Sequence, residues 1–167
     1  DVRFTEYDGA SRVVVARDAL GNEKHLDYDD AGNLVREKGV ESSNLTPAQE
    51  FYTDSRYDAL GRRVLAVDNL GNATRTEYDS RGNAVLTTDT LGVLGSQAIP
   101  RGAGSVTLNL PGNAVRTWFD GLNRPLFVER ELREGHTSQG AILAYVTTPQ
   151  EWDPGSRLLR ETDDRGN

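Results

Sequence analysis

A chain of 167 residues with 36% hydrophobic residues can bury some core, but 27% charged residues and 17 glycines describe many turns and much wet surface, which suits short strands better than long helices. The formal net charge of −7 argues against a phosphate-tracking nucleic-acid binder or a polybasic membrane-surface segment, both of which need clustered positive potential. With no cysteine there is neither a disulfide framework nor a thiolate metal site, and the notable apolar run Ala141 to Val146 is far too short to span a bilayer.

In chain order the first signal is Tyr7-Asp8, which returns 21 residues later as Tyr28-Asp29. Between them Asp18-Ala19-Leu20-Gly21-Asn22 repeats an Asp-x-x-Gly pattern without an aromatic, so the underlying unit is about 10 or 11 residues. The Val-rich segment from Arg12 to Arg17 reads as a strand. From roughly Glu37 to Ser55 the rhythm breaks, and a helical insertion competes around Thr46-Pro47-Ala48-Gln49-Glu50. It resumes with Tyr57-Asp58, the strand Arg63 to Val67, the aromatic-free Asp68-Asn69-Leu70-Gly71-Asn72, the strand Ala73 to Tyr78, and Tyr78-Asp79. Asp89, with Gly92 at its fourth place, opens a further motif before a second irregular stretch, Val93 to Leu108.

Asn109-Leu110-Pro111-Gly112-Asn113 is an irregular member, because Pro111 at the third place disfavours a plain type I turn. The strand Ala114 to Phe119 leads to Phe119-Asp120. A third irregular stretch, Glu131 to Gln150, precedes Trp152-Asp153, and the sequence closes on Asp163-Asp164-Arg165-Gly166-Asn167. With a start at Asp1 and an end inside a turn motif, both termini are expected to be cuts in a longer array.

The Asp-x-x-Gly motif has a physical cause. Asp at the first position of a type I turn accepts a backbone N–H two residues on, and Gly at the fourth takes the positive φ that rejoins the strand through a bulge. The expected structural turn residues are therefore Asp8, Asp18, Gly21, Asp29, Gly32, Asp58, Gly61, Asp68, Gly71, Asp79, Gly82, Asp89, Gly92, Asp120, Asp153, Asp163 and Gly166, with Ser or Asn replacing Gly in some copies. Strands of about six residues between four-residue turns should run antiparallel in a continuous meander. The fold class is all-β, one array of tandem repeats over residues 1–167 with irregular stretches near 37–55, 93–108 and 131–150.

With this recurrence on the page, the chain resembles the YD repeats of bacterial Rhs proteins, Tc toxin C components, polymorphic toxins and teneurins; Tyr57-Asp58-Ala59-Leu60-Gly61-Arg62 and Tyr78-Asp79-Ser80-Arg81-Gly82-Asn83 are good copies of that signature. The resemblance implies a spiralling ribbon forming part of a hollow β-shell, in many members enclosing a C-terminal toxin, in a secreted or cell-surface bacterial protein. The family's aspartyl autoprotease core has a Tyr- and Pro-rich signature that is missing here; Asp153-Pro154-Gly155 resembles only a fragment of it, so no catalytic residue carries over.

The chemistry of the remaining residues favours architecture. His25 lies in a strand and His136 in a polar loop, so a Ser/His/Asp or metal constellation would have to assemble by chance across repeats. Each aspartate is accounted for as a turn residue, which weighs against a glycosidase pair, and the acidic stretch Asp27 to Asn33 lacks the spacing of an EF-hand or a calcium β-roll. Neither a cofactor nor a metal is expected, and the chain is read as non-enzymatic. Aromatic residues before aspartate could stack on sugar rings, which makes Trp118 and Trp152 the candidate glycan-stacking residues of an adhesion module; the plainer reading packs Tyr7, Tyr28, Tyr57, Tyr78, Phe119 and Trp152 on neighbouring strands as a ladder. The expected partners are the remaining repeats and cargo of a parent chain, other copies through strand edges, and, in the adhesion reading, glycans.

Overall fold

The structure, a computed structural model, describes residues 2–42, 48–90, 97–101, 104–108, 113–134 and 140–163. Every regular element longer than a single turn among them is a β-strand. The chain divides into two compact units, Asp1–Gly71 with Pro100–Val106, and Asn72–Ile99 with Thr107–Asn167.

In the first unit β1 (Val2–Tyr7), β2 (Val13–Asp18), β3 (Glu23–Tyr28), β4 (Leu34–Glu41), β5 (Gln49–Tyr57) and β6 (Arg63–Asp68) follow one another in sequence and in space, every neighbouring pair antiparallel. The second unit holds β7 (Ala73–Tyr78), β8 (Ala84–Thr90), β11 (Asn113–Phe119), β12 (Pro125–Arg133), β13 (Ile142–Trp152) and β14 (Leu158–Glu161), again antiparallel neighbour to neighbour. Two short strands, β9 (Gln97–Arg101) and β10 (Gly104–Leu108), pair with each other. The meander follows from the turns: four-residue connections can join only antiparallel neighbours, whereas a parallel strand needs a long crossover.

Two expectations are corrected. Gln49 and Glu50 begin β5, paired with Glu41 and Val40, so the stretch weighed as helical is strand over its described part, because Phe51, Tyr52 and Thr53 continue a β-forming run against β4. Asp89 does not stand at the end of its strand, and the rest of its motif, Leu91 and Gly92, lies outside the described residues. The aspartate sits inside β8, opposite Thr74 on one side and Asn113 on the other, because ladders on both flanks carry that strand on to Thr90. Gly92, Gly112, His136 and Gly166 lie outside the described residues.

Little of this is a hydrophobic core. Among the described residues the buried hydrophobics are Leu65, Val67, Ala73 and Ala114, while Asp54, Arg133 and Asp153 are buried too. Ion pairs run between strands instead. Arg36 reaches Asp54 directly opposite at 2.7 Å, and Lys24–Glu37 and Lys38–Glu50 lie on diagonals at 2.6 Å. In the second unit the nearly buried Glu131 receives Arg133 at 2.6 Å and Arg116 at 3.2 Å, and Arg116 also reaches Glu129 at 3.3 Å. Burial works against the Glu131 charge, but the Arg133 and Arg116 guanidiniums more than offset it, so its carboxyl is held below the usual range.

Candidate functional site

Each hairpin turn is built by one aspartate and the residue four places on. At Asp58 the main-chain N–H donates to the Arg62 carbonyl (2.9 Å) and the Gly61 N–H donates back to the Asp58 carbonyl (3.0 Å). One carboxylate oxygen accepts from the N–H groups of Leu60 and Arg62 (2.9 and 3.0 Å), and the other accepts from Arg62 Nε (2.7 Å). The same pattern recurs at Asp8 with Arg12, Asp120 with Arg124 and Asp153 with Arg157, and with an asparagine amide in place of the guanidinium at Asp18 with Asn22, Asp29 with Asn33 and Asp79 with Asn83. Asp68 accepts the Leu70 N–H at 2.9 Å, and Asp163 stands just past β14.

Donors converging on an anionic acceptor favour its charged form. The side-chain donors of Asn22, Asn33, Arg62 and Asn83 hold Asp18, Asp29, Asp58 and Asp79 below the ordinary carboxylate range. The backbone N–H groups of Arg12, Arg124 and Arg157 lead the same effect at Asp8, Asp120 and Asp153.

The fourth place of the turn has positive φ whichever residue occupies it: 88° at Gly21 and Gly32, 73° at Gly61, 86° at Gly71, 92° at Gly82, and 62° at Ser11, Asn123 and Ser156. After each aromatic turn the ladder carries a bulge. The register slips by one between Glu6 and Tyr7, Asp27 and Tyr28, Arg56 and Tyr57, Glu77 and Tyr78, Trp118 and Phe119, and Glu151 and Trp152. The extra residue is Val14, Val35, Val64, Val85, Leu126 or Leu159, always a branched aliphatic six places after the aspartate. Sequence reasoning missed both the Asn/Arg partner at the fifth position and this aliphatic bulge. Their signal is a fixed offset from each aspartate, visible once the copies are aligned on Asp.

The aromatic before the aspartate stitches one hairpin to the next. Four such junctions lie within a unit: β2 with β3, β4 with β5, β8 with β11, and β12 with β13. At each one the ladder stops short of the turn edge, at Val15/His25, Arg36/Asp54, Leu86/Arg116 and Phe127/Pro149. Three gaps are closed by an aromatic donor: the Tyr28 hydroxyl donates to the Val13 carbonyl (3.0 Å), the Tyr57 hydroxyl to the Leu34 carbonyl (3.0 Å) and the Trp152 indole N–H to the Pro125 carbonyl (2.6 Å). In every case the acceptor is the fifth residue after the preceding hairpin's aspartate. The Arg12 guanidinium lies 4.5 Å above the Tyr28 ring and that of Arg124 6.0 Å from Trp152.

The β8–β11 junction differs. Its aromatic is Phe119, which has no donor; Asn83 stands in the place of Arg12, as Asn33 does at the β4–β5 junction, and its amide donates to Asn123 Oδ1 at 3.0 Å. A cavity of about 530 Å³ opens there, walled by Arg81, Leu86, Arg116, Trp118 and Phe119 with the turn residues Asp79 and Asp120 at its rim. The two residues singled out for stacking are thus placed differently: Trp152 is tied to Pro125 beneath Arg124, whereas Trp118 is 41% exposed with its ring 5.4 Å from Phe127.

Antiparallel hairpins joined by stacked aspartate turns, each stitched by an aromatic, define a β-repeat ribbon. Residues 57–94 match the family model described as RHS Repeat, and the other hairpins of the chain share the turn geometry of that segment. Comparison with curated protein sequences gives no match. Among solved structures the chain is similar to the Photorhabdus luminescens Tc holotoxin pore with a mutated TccC3, at 18% identity and a TM-score of 0.45, covering 95% of this chain and 9% of that one. It is also similar to TcdB2-TccC3, at 16% identity and a TM-score of 0.47, covering 98% of this chain and 9% of that one, and to TcdB2-TccC3-Cdc42, at 16% identity and a TM-score of 0.47.

Proposed function

We propose that this chain is a non-catalytic structural segment of an RHS-repeat shell that encloses or displays another part of a longer secreted or cell-surface protein, a toxin being the cargo. The observation that carries this reading is how the aspartates are used. In each well-formed turn the carboxylate accepts donors from its own turn on both oxygens, as at Asp58, which suits scaffolding and favours the ionised form. A second feature supports it: large hydrophobics such as Phe4, Phe51, Ile142, Leu143 and Tyr145 are exposed on the strands, as expected of sheet that meets further protein in its parent. The remaining repeats and the cargo are the partners in this reading, and edge strands give other copies a route to association.

The test is protease protection in the parent protein. The non-repeat portion should resist cleavage while the repeats are folded, and become cleavable when turn substitutions such as Asp58→Ala and Asp79→Ala loosen the sheet. Equal cleavage before and after would overturn the enclosing role.

A further inference from the structure

We propose that the outer edge of β13 between Ala144 and Thr148 is a docking site for an extended peptide strand with an acidic residue at its centre. β13 runs for 11 residues, Ile142–Trp152, but β14 pairs only with its far end, from Trp152 back to Gln150, and a last bond runs from the Thr162 N–H to the Pro149 carbonyl at 3.1 Å. That bond fixes which way the backbone points. Alternate residues of an antiparallel strand address the same neighbour, so Thr147 and Tyr145, like Pro149, turn their backbone groups away from β12, and among the described residues no strand pairs with them. A strand following β14 in a meander adds on the far side of β14, so further repeats leave this edge open.

The edge is unguarded as well as unpaired. Exposed edges are commonly blunted by charge, and the part of β5 that outruns β6 carries Glu50, held to Lys38 at 2.6 Å. From Gly140 to Gln150 there is no charged residue, Leu143 is 62% and Tyr145 51% exposed, and Tyr145-Val146-Thr147-Thr148 is a run of strand formers. Outward N–H and carbonyl groups on a strand edge are matched by another strand, which makes the occupant an extended peptide.

Arg130 sets the charge of that peptide. It stands opposite Val146, on the face that carries Ala144, Val146 and Thr148, and it is exposed and makes no ion pair among the described residues. Arg116 and Arg133, by contrast, are matched by Glu129 and Glu131. Val115 and Val146 flank Arg130 across the sheet, so no carboxylate of the chain lies beside it there. An antiparallel strand added to β13 puts its central residue next to Val146, two strand spacings or roughly 10 Å of backbone from Arg130. A glutamate there and the arginine can meet across Val146, while β-branched neighbours pack beside Tyr145 and Thr147. The site stands whether or not the array encloses a cargo.

The test uses the whole chain and the backbone amide NMR signals of Tyr145 and Thr147, with the palindromic peptide acetyl-Thr-Val-Glu-Val-Thr-amide as probe. Both amides should shift saturably, with a dissociation constant on the order of 1 mM, and exchange more slowly with solvent deuterium. N-methylation of the two valines removes the donors aimed at the Tyr145 and Thr147 carbonyls and should abolish binding. Lysine in place of the glutamate should weaken it at least about threefold, and Arg130→Gln should erase that difference. Thr147→Pro removes an outward N–H that bonds nothing in the chain, at an edge position where a strand tolerates proline, and should abolish binding with the β11 and β12 amides unmoved. No saturable shift at Tyr145 and Thr147, equal affinity for the glutamate and lysine peptides, or undiminished binding in folded Thr147→Pro each overturns the site. So does protection of these amides that rises with the concentration of the chain alone, which would assign the edge to a second copy.

Discussion

Gly82 isolates the cost of a backbone conformation. Its φ is 92°, and a Cβ added there meets nothing within 4 Å, so a substitution is penalised by the backbone and by no clash. Gly82→Val should therefore destabilise the chain by about 1–3 kcal/mol in urea unfolding; an unchanged midpoint would mean the turn does not require this conformation. The reverse change separates two replacements at the fourth place. Ser11 holds φ at 62° and donates its N–H to the Asp8 carbonyl, a bond that glycine keeps, so Ser11→Gly should stabilise by up to about 1 kcal/mol. Asn123→Gly should gain less, because Asn123 Oδ1 also accepts from Asn83 across the junction. At this scale the sequence announces the aspartate and the glycine through their turn chemistry. It does not announce that Arg12 or Asn33 closes the turn, since an exposed Arg or Asn after a glycine has many uses and only the folded loop aims its side chain at the carboxylate.

Between hairpins, the Tyr57 hydroxyl bonds a carbonyl of β4 that the strand ladder leaves aside. Tyr57→Phe keeps the ring and removes this bond, and should cost about 0.5–1.5 kcal/mol. Phe119→Tyr should gain a similar amount by adding it, measured in the same unfolding series. A finding that both changes are neutral would make the aromatic ladder one of packing alone. The strands themselves are legible because Val-rich runs alternate with turn residues at a fixed step, as from Val13 to Tyr28. Where a regular turn is missing the signal fails: β4 and β5 pair over Arg36–Glu41 and Gln49–Asp54 through cross-strand ion pairs, a long-range match that no local pattern encodes. Asp89 misleads for the same reason, since its motif is a good turn locally but its hydroxyl partner Thr74 and the flanking ladders keep it in a strand. The cleft beside Trp118 was legible only as an aromatic with stacking potential, because its emptiness depends on Phe119 lacking a hydroxyl that the equivalent residues use.

Among the described residues few apolar side chains are buried, while bonded turn carboxylates recur from hairpin to hairpin, and this bears on the response to solution conditions. Among the described residues no three His, Asp or Glu side chains gather as a metal site, and the turn aspartates are already satisfied, so a chelator should leave the melting temperature unchanged; a calcium-dependent rise of several degrees would overturn the assignment of those aspartates to turns. Acid is the sharper test. Asp8, Asp18, Asp29, Asp58, Asp79, Asp120 and Asp153 are all held below their ordinary range in the folded chain by donors that the unfolded chain lacks. A depressed folded value means that the unfolded state takes up protons first as pH falls. The stabilisation is therefore complete above the ordinary aspartate range near about 4 and is lost progressively as pH drops through the lower folded values. The melting temperature should be flat from neutrality to about pH 5 and fall steeply below about pH 4, with the copies losing their turns together because each hairpin leans on its neighbours. Asp58→Asn keeps an oxygen for the Leu60 and Arg62 N–H groups but removes the charge that holds the Arg62 guanidinium. It should melt lower at pH 7 and show a shallower acid limb than the parent, the two curves converging near pH 3. Parallel curves, or a parent melting temperature that holds to pH 3, would show that the turn carboxylates are not what keeps these hairpins closed.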